Sequence, residues 1–451
     1  MRLSDIARQV GGELIGLDAD AGSFSTDTRS LHAGDVFIAL SGPNFDANTL
    51  IAQAAGKGAL AAIVTRMDPQ AGIPQIIVAD AHRALGQIAA AWRARFPDVI
   101  RVAMTGSAGK TSTKELAARI FEEQGETLAT IGNLNNDIGV PLTLLRLRDQ
   151  HQYGVFELGA NHAGEIAYTA GLVQPHAAVI TNVGVAHLEG FGSREGIARA
   201  KGEIYDALPD NGIAVVNRDD DFANFWLQKL DPKRVITFSQ QAPATLRATD
   251  IASNGMAQYR FTLQVGERSA SVQLQLLGRH QVANALAAAA LAHAVGIRIE
   301  TIVSGLQKAR PYAGRAVLHR LGKDICVIDD SYNANPVAMK AAIDLLAELP
   351  GRRLVVVGDM GELGESAAAG HEEVGEYARM KAMDAMYVVG RHRGDYARGF
   401  GEGTRQFSEQ ADLIRALEAE LSGVVSILVK GSRSAHMDRV VSALTGQTGD
   451  H

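Results

Sequence analysis

The stretch VIRVAMTGSAGKTSTKEL, residues 99–116, decides how this chain is read. Residues 99–104 have the composition of a strand, and beyond Lys110 the apolar Leu116 and Ile120 share one helical face. Between them lies a glycine loop, Thr105-Gly106-Ser107-Ala108-Gly109-Lys110-Thr111-Ser112. A loop of this kind, leading from a strand into a helix, turns successive backbone N–H groups toward an anion, and the helix N-terminus adds positive partial charge. The stretch from Gly106 to Ser112 therefore predicts a phosphate cradle. In it Lys110 reaches the β/γ-phosphates of a nucleotide and the Thr111 hydroxyl ligates Mg²⁺. The usual spacing would need glycine at position 104, where this chain has Met104, so the loop is a shorter variant.

Working outward, apolar runs that read as strands recur at 153–158, 177–181, 212–216 and 235–238, with helical patterns between them. That alternation predicts a largely parallel sheet. Residues 245–277 switch to period-two alternation, which predicts an antiparallel patch, and an alanine-rich helix follows. On the N-terminal side, runs at 35–40, 61–64 and 75–78 with an amphipathic stretch at 48–59 predict a small α/β unit. On the C-terminal side, runs at 324–329, 353–358, 386–390 and 424–429 predict a second doubly wound α/β unit. Within it Asn335 is placed to cap a helix whose first residue is Pro336. The expected architecture is α/β in three domains, 1–81, 82–314 and 315–451.

The chain has 451 residues, too many for one ordinary domain. Lys plus Arg number 44 against 50 Asp plus Glu, a net charge of −6, so a global field that would hold nucleic acid is excluded. The one cysteine, Cys326, excludes an intramolecular disulfide and a cysteine-cluster metal site. No run approaches the roughly 20 apolar residues that span a bilayer. The start, MRLSDIARQVGGEL, is an amphipathic pattern broken by charges rather than a secretory signal. These features predict a soluble, cytoplasmic and monomeric protein that binds small molecules, with no membrane insertion.

Three further residues bear on the metal and on catalysis. Glu157 ends a strand and should stand at the carboxyl edge of the sheet beside the glycine loop, as a carboxylate ligand for Mg²⁺. His187, in TNVGVAHLEGFG, also follows a strand, although a lone loop histidine usually has a structural hydrogen bond. Lys201 shares a helical face with Ile197, Ile204 and Leu208. A lysine on an apolar stripe snorkels, pairs with an acid, or is chemically neutralised. Taking up CO₂ would turn it into a carbamate, an anion able to ligate Mg²⁺.

TGSAGKTSTKE, the Glu157 strand end, TNVGVAHLEGFGS, ARAKGEI, AVVNRDD and GRHQVANALAA together resemble the central domain of the Mur ligases. These are ATP-dependent enzymes that join amino acids to a UDP-muramoyl precursor of bacterial peptidoglycan. TDTRSLHAGDVFIALSGPNFD, GNLNNDIGVPLTLL, DDSYNANPVAMKAA, VVVGDMGELGESAAAGHEEVG and LVKGSRSAHMD extend the resemblance over the chain. They are similar to the branch that adds D-alanyl-D-alanine to UDP-N-acetylmuramoyl-tripeptide through an acyl phosphate.

The resemblance implies ATP and Mg²⁺ as cofactors. It matches Lys110 to an ATP-phosphate contact, Thr111 and Glu157 to one Mg²⁺ site, His187 to a second, and Lys201 to a carbamylated lysine. It matches Asn284 to an adenine-side motif, Arg315 to an arginine that reaches ATP, and Asp330 to a residue near the ribose. Lys110, His187, Lys201 and Arg315 are thereby the expected catalytic set. Asp27 and Arg29 fall in the segment for the UDP end. Asn333, Lys430 and Arg433 lie where the amine substrate is expected, and an arginine there holds a carboxylate with two hydrogen bonds. With the parts in separate domains, closure on substrate binding is expected, with residues 311–315 among the hinges.

Three positions depart from the family pattern. Gln281 stands where asparagine is frequent, Ala108 replaces a common polar residue, and FDANTL replaces an acidic-Gly-His string. The nearest rival is a ligase of the same class for a different amine. The one that adds the third peptide residue shows D-N-P-R, absent here, where Asn333-Ala334-Asn335-Pro336 stands. Folate polyglutamylation is disfavoured by the N-terminal segment. A nucleotide switch would need N-K-x-D and D-x-x-G; Asn217-Arg218-Asp219-Asp220 only mimics the first.

Overall fold

The structure, a computed structural model, describes residues 1–184, 188–361 and 363–446. Three α/β layers follow one another along the chain. The first sheet has the order Glu13–Ile15, Gln75–Ile77, Ala61–Val64, Val36–Ile38, Phe24–Ser25, parallel except at its first edge. The expected strand at 35–40 is only Val36–Ile38. The amphipathic stretch at 48–59 divides into a 3-10 turn, Ala47–Leu50, and a helix, Ile51–Gly56. Asp46 explains the early start: its carboxylate accepts the Asn48 N–H at 3.0 Å and pins a tight turn there.

The second sheet has nine strands, ordered Arg268–Leu277, Gln258–Val265, Leu246–Ser253, Val235–Ser239, Ile213–Asn217, Ala177–Ile180, Ile100–Thr105, Tyr153–Glu157, Thr127–Ala129. The alternating segment is not a separate patch. It forms three strands, antiparallel to each other, that join the parallel sheet where Phe238 and Ser239 register with Leu246 and Arg247. The strand before the glycine loop lies between Ala177–Ile180 and Tyr153–Glu157. The chain leaves it toward one edge and later returns on the other side, so the loop opens at a topological switch point.

The helix His280–Ala294 is apolar nearly all round and buried behind this sheet. That pattern suits a helix enclosed on every side. A methyl on Gly305 of the next helix would come within 2.4 Å of the Ile120 Cα, so only glycine permits that approach. The helix Ala81–Arg93 links the first two layers. Trp92 packs edge-on to Phe24, with ring centroids 5.6 Å apart, while its Nε1 donates to the Leu147 carbonyl at 3.1 Å.

The third sheet is ordered Val317–Leu321, Ile325–Asp330, Val425–Lys430, Arg352–Val357, Ala385–Val389, Thr404–Phe407. Its two edge strands have no apolar run to reveal them. Asn335 caps Pro336–Ala347, accepting the Ala338 N–H at 2.8 Å. Asn335→Ala is expected to destabilise this helix by about 1 kcal/mol. Amide hydrogen exchange in its first turn should accelerate roughly fivefold while the helix Lys110–Glu122 is unaffected; unchanged exchange would show that the cap contributes nothing.

Candidate active site

The glycine loop is held by the end of the neighbouring strand. Ser107 N–H donates to the Asn182 carbonyl at 3.0 Å and Ala108 N–H to Asn182 Oδ1 at 2.9 Å. The Thr181 hydroxyl and the Asn182 amide both donate to the Ala108 carbonyl, at 2.7 and 3.0 Å. Two of the loop's N–H groups are thus engaged by Asn182. Thr113 N–H donates to the Gly109 carbonyl at 2.9 Å, so the donors left without an intrahelical partner are those of Lys110, Thr111 and Ser112 at the start of Lys110–Glu122. Gly109 has φ +79° and lies so close to Asn284 that a Cβ would sit 2.3 Å from its Oδ1. Asn284 is buried, and its amide donates to Gln281 Oε1 at 2.9 Å. The glutamine that departs from the family pattern therefore holds the asparagine beside the loop.

Lys110 Nζ donates to the Gly106 carbonyl at 2.7 Å. Burial lowers its pKa below the ordinary lysine range; Glu157 opposes this and Arg315 adds to it. Those three charged groups therefore share one electrostatic environment. Glu157 is 2% exposed, and its Oε1 accepts from the Asn135 amide at 2.8 Å. Its Oε2 is buried without any hydrogen-bond partner. A buried carboxylate oxygen left open is costly unless something cationic meets it, and Thr111, also buried, is the second residue of the helix that follows the glycine loop. A hard oxygen-seeking cation fits this donor set.

Lys201 does not snorkel. It is 2% exposed, and no hydrogen bond or ion pair to its ammonium is found among the described residues. Burial first, and repulsion by Lys110 second, lower its pKa to about 7. His187 lies outside the described residues. Among the described residues, no group of three or more His, Cys, Asp or Glu side chains converges as a metal cage.

The third layer brings a second set of residues to its own switch point. Lys430, buried at the end of the central strand, donates to Asp330 Oδ2 at 2.5 Å and to the Asn333 carbonyl at 2.8 Å. Asp330 Oδ1 accepts the Ala316 N–H at 3.1 Å, next to Arg315. The Arg315 guanidinium lies over the Tyr332 ring, 4.5 Å from its centroid, and Arg433 approaches the same ring at 5.4 Å. Asn333 is exposed. His280, at the N-terminus of the buried helix of the second layer, is in electrostatic reach of Asp330 and Lys430. The two switch points thus share an electrostatic neighbourhood through Arg315 and His280. Asp27 and Arg29 form an exposed pair in the first layer, with Arg29 Nη2 2.7 Å from Asp27 Oδ2.

Reasoning from sequence missed Asn135, Asn182 and Tyr332, and it took His280 only as part of the Gly278-Arg279-His280 turn of the adenine-side motif. Asn182 was the most accessible of these, since it follows a strand of the parallel sheet next to the loop. Tyr332 gave no signal, because its stacking partners come from positions 17 residues before and 101 residues after it.

Residues 104–292 match the model of the Mur ligase middle domain, and residues 314–433 that of the Mur ligase glutamate ligase domain. Over 449 residues, 98% of each chain, the sequence is 46% identical to the UDP-N-acetylmuramoyl-tripeptide--D-alanyl-D-alanine ligase of Escherichia coli K12. A crystal structure of MurF from Acinetobacter baumannii superposes with TM-score 0.91 at 37% identity, covering 98% of both chains. MurF ligase from Thermotoga maritima, solved in complex with ADP, gives TM-score 0.82 at 27% identity, over 94% of this chain and 97% of that one. Sequence and fold agree: this chain belongs to the Mur ligase family.

Proposed function

We propose that the chain catalyses ATP-dependent ligation of D-alanyl-D-alanine to UDP-N-acetylmuramoyl-tripeptide, giving the pentapeptide precursor of peptidoglycan, ADP and phosphate. The observation that carries this is the pairing of two switch points around Arg315, one with a phosphate loop and one with a basic crevice. It is supported by full-length likeness to ligases of that name. The alternative is a ligase of the same family for a different amine, and the experiment below separates the two.

The chemistry follows from what must be joined. A carboxylate has no good leaving group, so the tripeptide carboxylate attacks the γ-phosphorus of ATP. This forms an acyl phosphate and releases ADP. The dipeptide amine then attacks the acyl carbon, and the tetrahedral intermediate collapses with loss of phosphate and a proton. The first step brings two anions together. Lys110 and Arg315 offset their repulsion, so the protein contributes positioning and charge stabilisation. Gly106, Ser107, Ala108, Gly109 and Ser112 line the phosphates; Asn284 and Asp330 serve the adenine and ribose ends.

One Mg²⁺ would be held by Thr111 and the open oxygen of Glu157, and a second by His187, with the Lys201 carbamate as a further anionic ligand. When bound they neutralise phosphate charge. Asn333, Lys430 and Arg433 form the amine site, with Arg433 for the dipeptide carboxylate, and Asp27 and Arg29 contact the UDP end. The domain limits are 1–81, 82–314 and 315–451. The enzyme works in the cytoplasm, as a monomer.

The decisive assay follows phosphate release from ATP and Mg²⁺ with the tripeptide precursor, with and without D-alanyl-D-alanine. Release should need both, with a product mass increased by the dipeptide. Release with another amino acid instead would leave the acyl-phosphate route intact and overturn the amine assignment.

Lys201 is carbamylated in the working enzyme. Its amine is buried, has no hydrogen-bond or ion-pair partner among the described residues and is partly neutral near pH 7, which leaves a lone pair to attack CO₂. An N–C bond forms, one C–O π pair moves to oxygen, and a proton leaves. ¹³C-labelled CO₂ should give a carbamate resonance that is absent in Lys201→Ala, and acetate should restore part of that variant's activity. No resonance and full activity in CO₂-free buffer would refute carbamylation.

A further inference from the structure

The motif GDMGELGESAAAGHEEVG places a histidine where the chemistry above does not use it. His371 lies in the helix Ala367–Met380 and is fully buried. Its Nε2 accepts the Met360 backbone N–H at 2.9 Å, and its Nδ1 lies 2.6 Å from the Ala367 carbonyl one turn earlier. A carbonyl only accepts, so Nδ1 carries the proton and Nε2 offers its lone pair. These two bonds require the neutral ring.

Met360 belongs to the loop that leaves the strand Arg352–Val357, and this loop crosses the carboxyl edge of the third sheet beside Lys430 and Ser432. Gly358 N–H donates to the Lys430 carbonyl at 3.0 Å, and the Asp359 carbonyl accepts the Ser432 N–H at 2.9 Å. The Tyr396 hydroxyl donates to the Gly358 carbonyl at 3.1 Å. Asp359 also accepts backbone N–H groups of Arg391 and His392, at 2.8 and 2.9 Å. The loop is therefore stitched to the ends of the two strands that flank it, Val425–Lys430 and Ala385–Val389. His371 adds a side-chain stitch to Met360 from the helix Ala367–Met380, beside the one that Tyr396 makes to Gly358. The His392 ring stacks on His371 with centroids 4.3 Å apart and is itself held by Asp395, Nδ1 to Oδ2 at 2.6 Å.

We propose that His371 is a positioning residue for the amine substrate: its neutral imidazole fixes residues 358–360, and through them the Lys430–Arg433 turn that receives the dipeptide. This rests on the reading of that turn as the amine site. Protonation would turn Nε2 into a donor facing another donor and release the loop. Burial lowers the His371 pKa first, the Ala367 carbonyl opposes this, His392 lowers it further, and Asp359 and Asp395 raise it. Three charged pairs lie on the neighbouring helices, Glu372 with Arg398, Glu373 with Lys340, and Asp344 with Lys381, and Glu376, Arg379 and Arg393 are the further charges there. The neutral ring thus persists through neutral pH and is lost only below the ordinary histidine range.

The test measures KM for D-alanyl-D-alanine, for ATP and for the tripeptide precursor separately, in the full chain across pH. His371→Ala should raise the dipeptide KM about tenfold, the worth of a buried hydrogen bond, and leave the other two within about twofold. His371→Gln keeps an acceptor for Met360 N–H and does not titrate. It should restore the dipeptide KM and abolish the rise that the unaltered chain shows as pH falls below the histidine range. An unchanged dipeptide KM in His371→Ala, or equal loss for all three substrates, overturns the proposal. If the alanine variant does not fold, the glutamine variant decides alone: loss of the acid rise supports the proposal and its retention overturns it. Arg433→Ala runs alongside. If it raises the dipeptide KM and His371→Ala does not, only the role of His371 fails; if neither does, the amine-site reading fails with it.

Discussion

Lys110→Ala is expected to lower kcat by about a thousandfold or more. A single preorganised neutral donor aimed at developing charge is worth roughly 10²–10³ in rate, and Lys110 brings a full charge into a site already enclosed by protein. Among the described residues the hydrogen bond of its ammonium goes to the Gly106 carbonyl of its own loop, so its loss removes charge without dismantling the fold. The check is single-turnover release of phosphate at saturating ATP, with circular dichroism and thermal unfolding as controls. A rate within about tenfold of the unaltered chain would remove Lys110 from the phosphoryl-transfer step. A second consequence follows from Lys201, whose pKa Lys110 depresses. Without that repulsion the Lys201 amine should hold its proton to higher pH. At pH 7 less of it is then neutral, and its uptake of CO₂ should weaken.

Arg315→Ala should lower kcat about a hundredfold, the lower end of the same range, while the KM for the tripeptide precursor changes little. Arg315 stands between the second and third layers. Its charge is felt by Lys110, its Nε is buried without a partner, and its guanidinium is stacked on Tyr332. The stacking makes the guanidinium plane part of the requirement, so Arg315→Lys should recover only a small fraction of the loss. Tyr332→Leu should reproduce part of it by freeing the arginine. Steady-state kinetics with all three variants test this. Full activity in Arg315→Lys would show that charge alone suffices and that the stack has no catalytic consequence.

Much of the fold was legible because period and punctuation agreed. The glycine loop fell between an apolar run and a helical face, and the structure has strand, loop and helix there within one residue of the expected limits. Asn335 and Pro336 formed the expected cap. The edge strands Val317–Leu321 and Thr404–Phe407 were not legible, since an edge strand is half solvated and its sequence looks like loop. The alternating segment was read correctly as antiparallel, but its union with the parallel sheet rests on two residue pairs that no local pattern announces.

The sequence by itself determined the layers, the glycine loop between strand and helix, and the family, because each depends on neighbours a few residues apart and on side-chain types that local chemistry demands. Lys201 shows the limit. Its place on an apolar stripe was visible in the helix period, but whether the chain above it left room to snorkel was not. Only the tertiary structure decided that the ammonium is buried, that Glu157 keeps one carboxylate oxygen open, that Lys430 is tied to Asp330, and that a histidine in one helix holds a loop from another strand. Burial and electrostatics are set by what packs around a group in space, and those neighbours arrive from segments tens to hundreds of residues away.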